Sequence, residues 1–264
     1  MVFALVSRAA PPGDRDAAAD VMRATVERYA LDRDALQRRY PDGRVERERL
    51  AGFRDERLKE LEAVDFDKLG QAGRIDYILL RNRIVFERKS AEHRRKQLAE
   101  VTPLLAFAEV IEGLAAARQR GEKIDSREAA KTLAEIDKQI TSLKKHWDSP
   151  AATKSSEAPS KVLAARAART ADRLRSTLKD WYEFRAGYDP EFTWWTNQTY
   201  PKVDKGLSDY ADVLRKKFAG GEGDDDPVIG DPIGRAALLD ALEAEMIPYT
   251  PEELIAIGEK EFVW

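Results

Sequence analysis

Cysteine is absent from this sequence, and histidine occurs only twice in its 264 residues. The first absence excludes disulfides, thiolate zinc sites and a cysteine nucleophile. It leaves the compartment open, because a cysteine-free chain suits a cytoplasmic or an exported, periplasmic setting equally. The second leaves little with which to grip a transition metal. His93 stands in Glu92-His93-Arg94-Arg95, among cations that oppose a metal ion, and His146 sits beside Trp147. Neither belongs to a His-Glu-x-x-His pair. A Gly-x-Ser-x-Gly elbow, a P-loop and a dinucleotide fingerprint are likewise missing. No catalytic residue and no metal ligand can be named, and no cofactor is expected on this chain.

An excess of one charge is also lacking. Lys and Arg number 45 against 48 Asp and Glu, a net charge of -3. A dedicated nucleic-acid binder needs a basic excess for its phosphate contacts, so that class is excluded. The local basic runs Arg94-Arg95-Lys96 and Lys144-Lys145 read as solvated helix faces. No apolar run approaches the roughly 18 residues of a membrane span. The opening Met1 to Ala10 lacks a basic leader and the apolar core of about 7–15 residues that a secretory signal carries, so residues 1–13 are expected to be disordered.

Apolar residues make up 43% and charged residues 35%, with only 15 Gly and 12 Pro, a balance typical of amphipathic helices. Helical periodicity dominates the chain. Ala18, Val21, Met22, Thr25, Val26 and Tyr29 share one face of a helix from Asp14 to about Arg39, which Pro41-Asp42-Gly43 breaks. Leu50, Phe53, Leu58 and Leu61 mark a second helix over 45–64. A third, over 67–100, is predicted to turn Ile75, Ile78, Leu79, Asn82, Val85 and Phe86 inward. Thr102-Pro103 predicts the start of another helix, which ends near Arg120-Gly121. After Asp125-Ser126, the residues Ala129, Leu133, Ile136, Ile140, Leu143 and Trp147 alternate steps of four and three, a seam for bundle packing.

The Ser-, Ala- and Pro-rich stretch 149–160 is the best linker candidate. Beyond it, Leu163, Ala167, Ala171, Leu174, Leu178 and Trp181 form the inner face of a long helix. Val203, Leu207, Tyr210, Leu214 and Phe218 line the next, with Pro201 at its start or at a kink. Residues 220–230 form an acidic, Gly-rich surface loop. Within it, Asp224-Asp225-Asp226 lacks the spacing of a calcium-binding EF-hand. Asp231-Pro232 is predicted to cap a helix bearing Leu238, Leu239, Leu242 and Met246. Thr250-Pro251-Glu252-Glu253 then writes a capping box. The expected fold is all-α, a multi-helix bundle with long antiparallel helices, forming one domain over 14–264.

The aromatic cluster Trp181 to Tyr200 is the most distinctive local feature. The plainer reading has these rings stapling a corner of the bundle, and the residues alone favour it. The functional reading makes Trp194, Trp195, Asn197 and Tyr200 a substrate-binding wall, with Gln198 beside them.

Three stretches carry a family resemblance. They are Arg74-Ile-Asp-Tyr-Ile-Leu-Leu-Arg-Asn-Arg-Ile84, Phe192-Thr-Trp-Trp-Thr-Asn-Gln-Thr-Tyr200 with its continuation to Leu214, and Ile233 to Phe262 with its Thr-Pro-Glu-Glu cap. Together they resemble a bacterial family called domain of unknown function 885, whose members look like zinc-dependent peptidases. The resemblance runs from about Tyr29 to the end and weakens between about Leu105 and Lys161. It implies an elongated helical fold related to the zincins, in which the N-terminal helices form one wall of a substrate channel. It also implies a zinc site in the C-terminal half, on a His-Glu-x-x-x-His-like helix with a later Glu, and none of those positions occurs here. The expectation is therefore the helical N-terminal portion of a peptidase of that kind, not competent alone. Its partners would be a C-terminal catalytic half, or a second copy met through the 250–264 helix, and a peptide would be the substrate of the complete protein. Alternatives are a stand-alone helical interaction module, or one half of a split peptidase completed in trans. Leu254, Ile255, Ile257, Phe262 and Trp264 would each gain about 1.5–3 kcal/mol from burial, so this end is expected to fray or to sit in an oligomeric contact.

Overall fold

The computed structural model describes residues 12–39, 43–153, 155, 157–220 and 229–263, with the side chains of 12–21 and 153 left aside. The expected disorder of 1–13 falls almost wholly outside this range, as do the Asp224–Asp226 run and Trp264. The described residues form an all-α protein with no strand. In chain order the helices are α1 (Pro12–Arg39), α2 (Arg44–Glu62), α3 (Gln71–Val101), α4 (Ala108–Gln119), α5 (Ser126–Asp148), a short α6 (Pro150–Thr153), α7 (Lys161–Glu183), α8 (Pro190–Thr196), α9 (Tyr200–Leu214), α10 (Arg235–Ala244) and α11 (Pro251–Phe262). The chain divides into two compact units. Residues up to His93 together with those from Ile233 form one, and Arg94–Pro232 the other.

The second unit is built around the α5 seam. Ala129, Leu133, Ile136, Ile140 and Trp147 are all buried, as their spacing predicts. They meet Ala167, Ala171, Leu174, Leu178 and Trp181 of α7 and Val203, Leu207, Tyr210 and Leu214 of α9 in one continuous core. The helices start where capping side chains allow. Asp125 accepts from the amides of Arg127 and Glu128 at 2.9 and 3.0 Å, and Asp189 accepts from that of Phe192 at 3.0 Å. Gly206 lets α9 approach α5 closely, since a Cβ there would stand 3.3 Å from Ile140 Cγ2. The Tyr210 hydroxyl, fully buried, donates to the Leu104 carbonyl at 2.7 Å. Within 149–160, Ala152 joins the core and Ser160 caps α7.

Two helix starts differ from the sequence expectation. Thr102 does not open α4. Its hydroxyl donates back to the Leu98 carbonyl at 3.1 Å, closing α3 into a 3-10 turn, and α4 begins only at Ala108. Asp231 does not cap α10. Its carboxylate is held by Arg166 and Arg169 of α7 at 2.6 and 3.0 Å, and Gly234 precedes the helix instead. In both cases a better partner than the local amide takes the side chain.

In the first unit α1 and α2 behave as expected, with Met22, Tyr29, Leu50, Phe53, Leu58 and Leu61 buried. The inner face of α3 does not. Ile75, Ile78 and Leu79 are about half exposed, and Leu80, Ile84 and Glu87 point inward in their place. The reason is Glu87. Its carboxylate receives the Tyr29 hydroxyl at 2.8 Å, Arg54 Nε at 3.3 Å, Arg83 Nε at 2.6 Å and Arg33 Nη1 at 3.3 Å. A buried charge with these partners fixes which face of α3 meets α1 and α2.

Candidate functional site

The rotation of α3 gives it a second apolar stripe, on the side away from the first unit's core. Ile75, Ile78, Leu79, Asn82 and Phe86 follow one another at helical spacing along it. Its C-terminal part receives α10 through polar contacts. Asn82 Nδ2 donates to the Ala244 carbonyl at 2.8 Å, and Lys89 Nζ bridges Asp240 and Glu243 at 2.8 and 2.7 Å. His93 Nε2 meets the other Asp240 oxygen at 2.7 Å. The hydrogen bond from His93, followed by that from Lys89, lowers the Asp240 carboxyl below its ordinary range.

Neither α10 nor α11 buries a single residue. Both are nonetheless well-formed helices. Thr250 and Glu253 complete the capping box predicted for α11, with Pro251 in its first turn. The turn before it is a Schellman closure, in which the Ile247 and Met246 amides reach the carbonyls of Leu242 and Glu243. It carries Met246 at φ 55, a left-handed position that glycine would occupy without strain. On these elements Leu238, Leu239, Met246, Ile247, Tyr249, Ile255, Ile257 and Val263 are exposed, and Phe262 is 93% exposed. A 12-residue helix without burial is marginal by itself. Ile75, Ile78 and Leu79, which helical periodicity places in the core, carry the open stripe of α3 instead.

The aromatic residues singled out as a substrate wall lie at the α7–α8–α9 corner. Phe192 and Trp181 are buried edge to face, with centroids 5.3 Å apart, and they staple it. Trp194 is two-thirds exposed and meets Trp195 edge to face at 4.7 Å. The guanidinium of Arg127 lies 4.8 Å over the Trp195 ring. Tyr200 stacks on Tyr182 at 3.7 Å, and burial, with nearby Asp204 next, pushes its hydroxyl up to about 12. Asn197 and Gln198 are exposed. Trp194 and Trp195 are thus brought together, whereas Tyr200 belongs to a different pair.

Among the described residues, no three His, Asp or Glu side chains converge as a metal site would require, so they do not fit a zinc ion. His93 is engaged by Asp240, and His146 packs edge to face on Trp147 at 4.5 Å. No described helix is long and apolar enough to cross a membrane. No protein-family model, curated protein or solved structure matches the chain.

Proposed function

We propose that this chain is the helical, non-catalytic portion of a peptidase-like protein. In this proposal α10, α11 and the outer stripe of α3 are the face on which the metal-bearing portion folds. The observation that carries it is the pair α10 and α11, regular helices with no buried residue, α11 closed by a capping box, and with Phe262, Ile255 and Val263 open. The resemblance over Arg74–Ile84 and Ile233–Phe262 falls on the same elements. Zinc would belong to the other portion, which alone would polarise the peptide carbonyl. The contribution of this chain is shape and contact, with Trp194, Trp195, Asn197 and Tyr200 offered to a peptide substrate.

The test is to co-express the chain with the polypeptide encoded immediately downstream of it. A stoichiometric complex that hydrolyses peptides with zinc, while the chain alone does not, supports the proposal. Zinc-dependent hydrolysis by the purified chain alone overturns it. A second reading rests on the same exposed helix, namely self-association through residues 250–264, and a dimer that Phe262→Ser dissolves in sedimentation would favour it.

A further inference from the structure

The second unit contains a cavity of about 190 Å³ among α4, the turn before α5, the first turns of α5, and the end of α7. That is smaller than the roughly 300–1,000 Å³ of pockets for drug-sized ligands, so its occupant must be small or the end of something longer. Leu114, Ala117, Ala129 and Trp181 supply its apolar wall, and Arg118, Lys123 and Arg185 its cationic side.

The charges around it are unevenly committed. Three acids line it, and each already has a partner. Asp125 accepts from the Arg127 and Glu128 amides, Glu122 takes Arg120, and Glu128 takes Lys131 at 2.6 Å. Arg118 donates to the Asp180 carbonyl and lies 4.8 Å over the Phe184 ring, with the Arg185 guanidinium 5.5 Å from the same ring. Arg185 Nη1 is buried and has no hydrogen-bond partner. An orphaned buried donor on a guanidinium is costly unless an acceptor reaches it. An anion is the partner that guanidinium geometry suits best.

We infer that this cavity binds a carboxylate carried on an apolar group, with the carboxylate on Arg185 and the apolar body against Trp181 and Leu114. Two sources share that chemistry, a free aromatic or aliphatic acid and the C-terminal residue of a peptide. Trp195 lies under Arg127, the sequence neighbour of the lining residue Glu128, and offers a continuation for a peptide. The cavity lies wholly in the second unit, and the inference does not rest on the docking proposal.

Calorimetric titration of the full chain tests it. The probes are 3-phenylpropanoate and N-acetyl-glycyl-phenylalanine, each beside its primary amide. Saturable binding of the acids, at least tenfold tighter than their amides, is expected, and Arg185→Gln should weaken it at least tenfold. Tighter binding of the peptide acid identifies a chain end as the ligand, and equal affinity identifies a free acid. Ala117→Leu fills the cavity without touching its charge, so it should abolish binding while thermal unfolding stays unchanged, which covers the case of an Arg185 variant that fails to fold. Equal binding of acids and amides, no saturable heat at millimolar ligand, or undiminished binding by Ala117→Leu would overturn the inference.

Discussion

Replacing Glu87 by Gln should destabilise the first unit by about 3 kcal/mol, the lower end of the cost of breaking a buried ion pair. The magnitude follows from which partners are buried. Arg83 is mostly exposed and Arg33 partly so, and pairs of that kind contribute about 0–1 kcal/mol. Arg54 is only 5% exposed, so its charge would be left facing a neutral amide inside the fold. The Tyr29 hydroxyl keeps an acceptor but loses a charged one. Burial raises the Glu87 carboxyl, yet the hydrogen bonds from Tyr29, Arg83 and Arg54 outweigh it and hold the group below its usual range. A depressed folded value means that this stabilisation is complete above the ordinary glutamate value of about 4.3 and is lost as pH falls through the lowered one. The difference between wild type and Glu87→Gln should therefore be full at neutral pH and shrink in acid. Amide exchange read by mass spectrometry resolves the two units separately. Protection in α1 and α2 should fall by the stated amount, with α5 and α7 as internal controls. A loss below about 1 kcal/mol, or equal losses in α5 and α7, would refute the assignment of Glu87 as the organiser of the first unit.

Other outcomes follow from the same geometry. Gly113→Ala, in open space on α4, should stabilise by roughly 0.5–1 kcal/mol in a denaturant titration. Gly206→Ala should show no such gain, because its Cβ meets the buried Ile140. Asp240→Asn should loosen α10, seen as faster amide exchange over 235–244. In the wild type that protection should persist at neutral pH and fade as pH drops through the lowered Asp240 value. Thr250→Ala removes the capping box and should cost α11 about 0.5–2 kcal/mol, measured by helical circular dichroism.

The sequence was legible wherever one apolar stripe served one core. The heptad-like spacing of α5, the alanine-rich face of α7 and the stripe of α9 bury most of the residues their periodicity selects, with Leu143, Leu163 and Phe218 only partly buried against the same core. It misled at α3, which carries two faces. The longer apolar run, Ile75-Ile78-Leu79, is the open one, while the inner face turns on a glutamate that pattern reading places in solvent. Only the partners supplied by α1 and α2 reveal it. Thr102 and Asp231 were misread because a helix carbonyl and two arginines, 65 and 62 residues away in the latter case, compete with the nearest amides. The capping box at Thr250 was legible because it is entirely local. The cavity beside Arg185 was not, because three separate elements line it.

The docking face is tested most directly by the double substitution Ile255→Ser with Phe262→Ser in the free chain, followed by urea unfolding. Open side chains contribute little to the stability of the molecule that carries them, so the midpoint should stay within about 0.5 kcal/mol of wild type. A loss of several kcal/mol, the size expected when large side chains leave a packed core, would show α11 already covered and contradict the docking proposal.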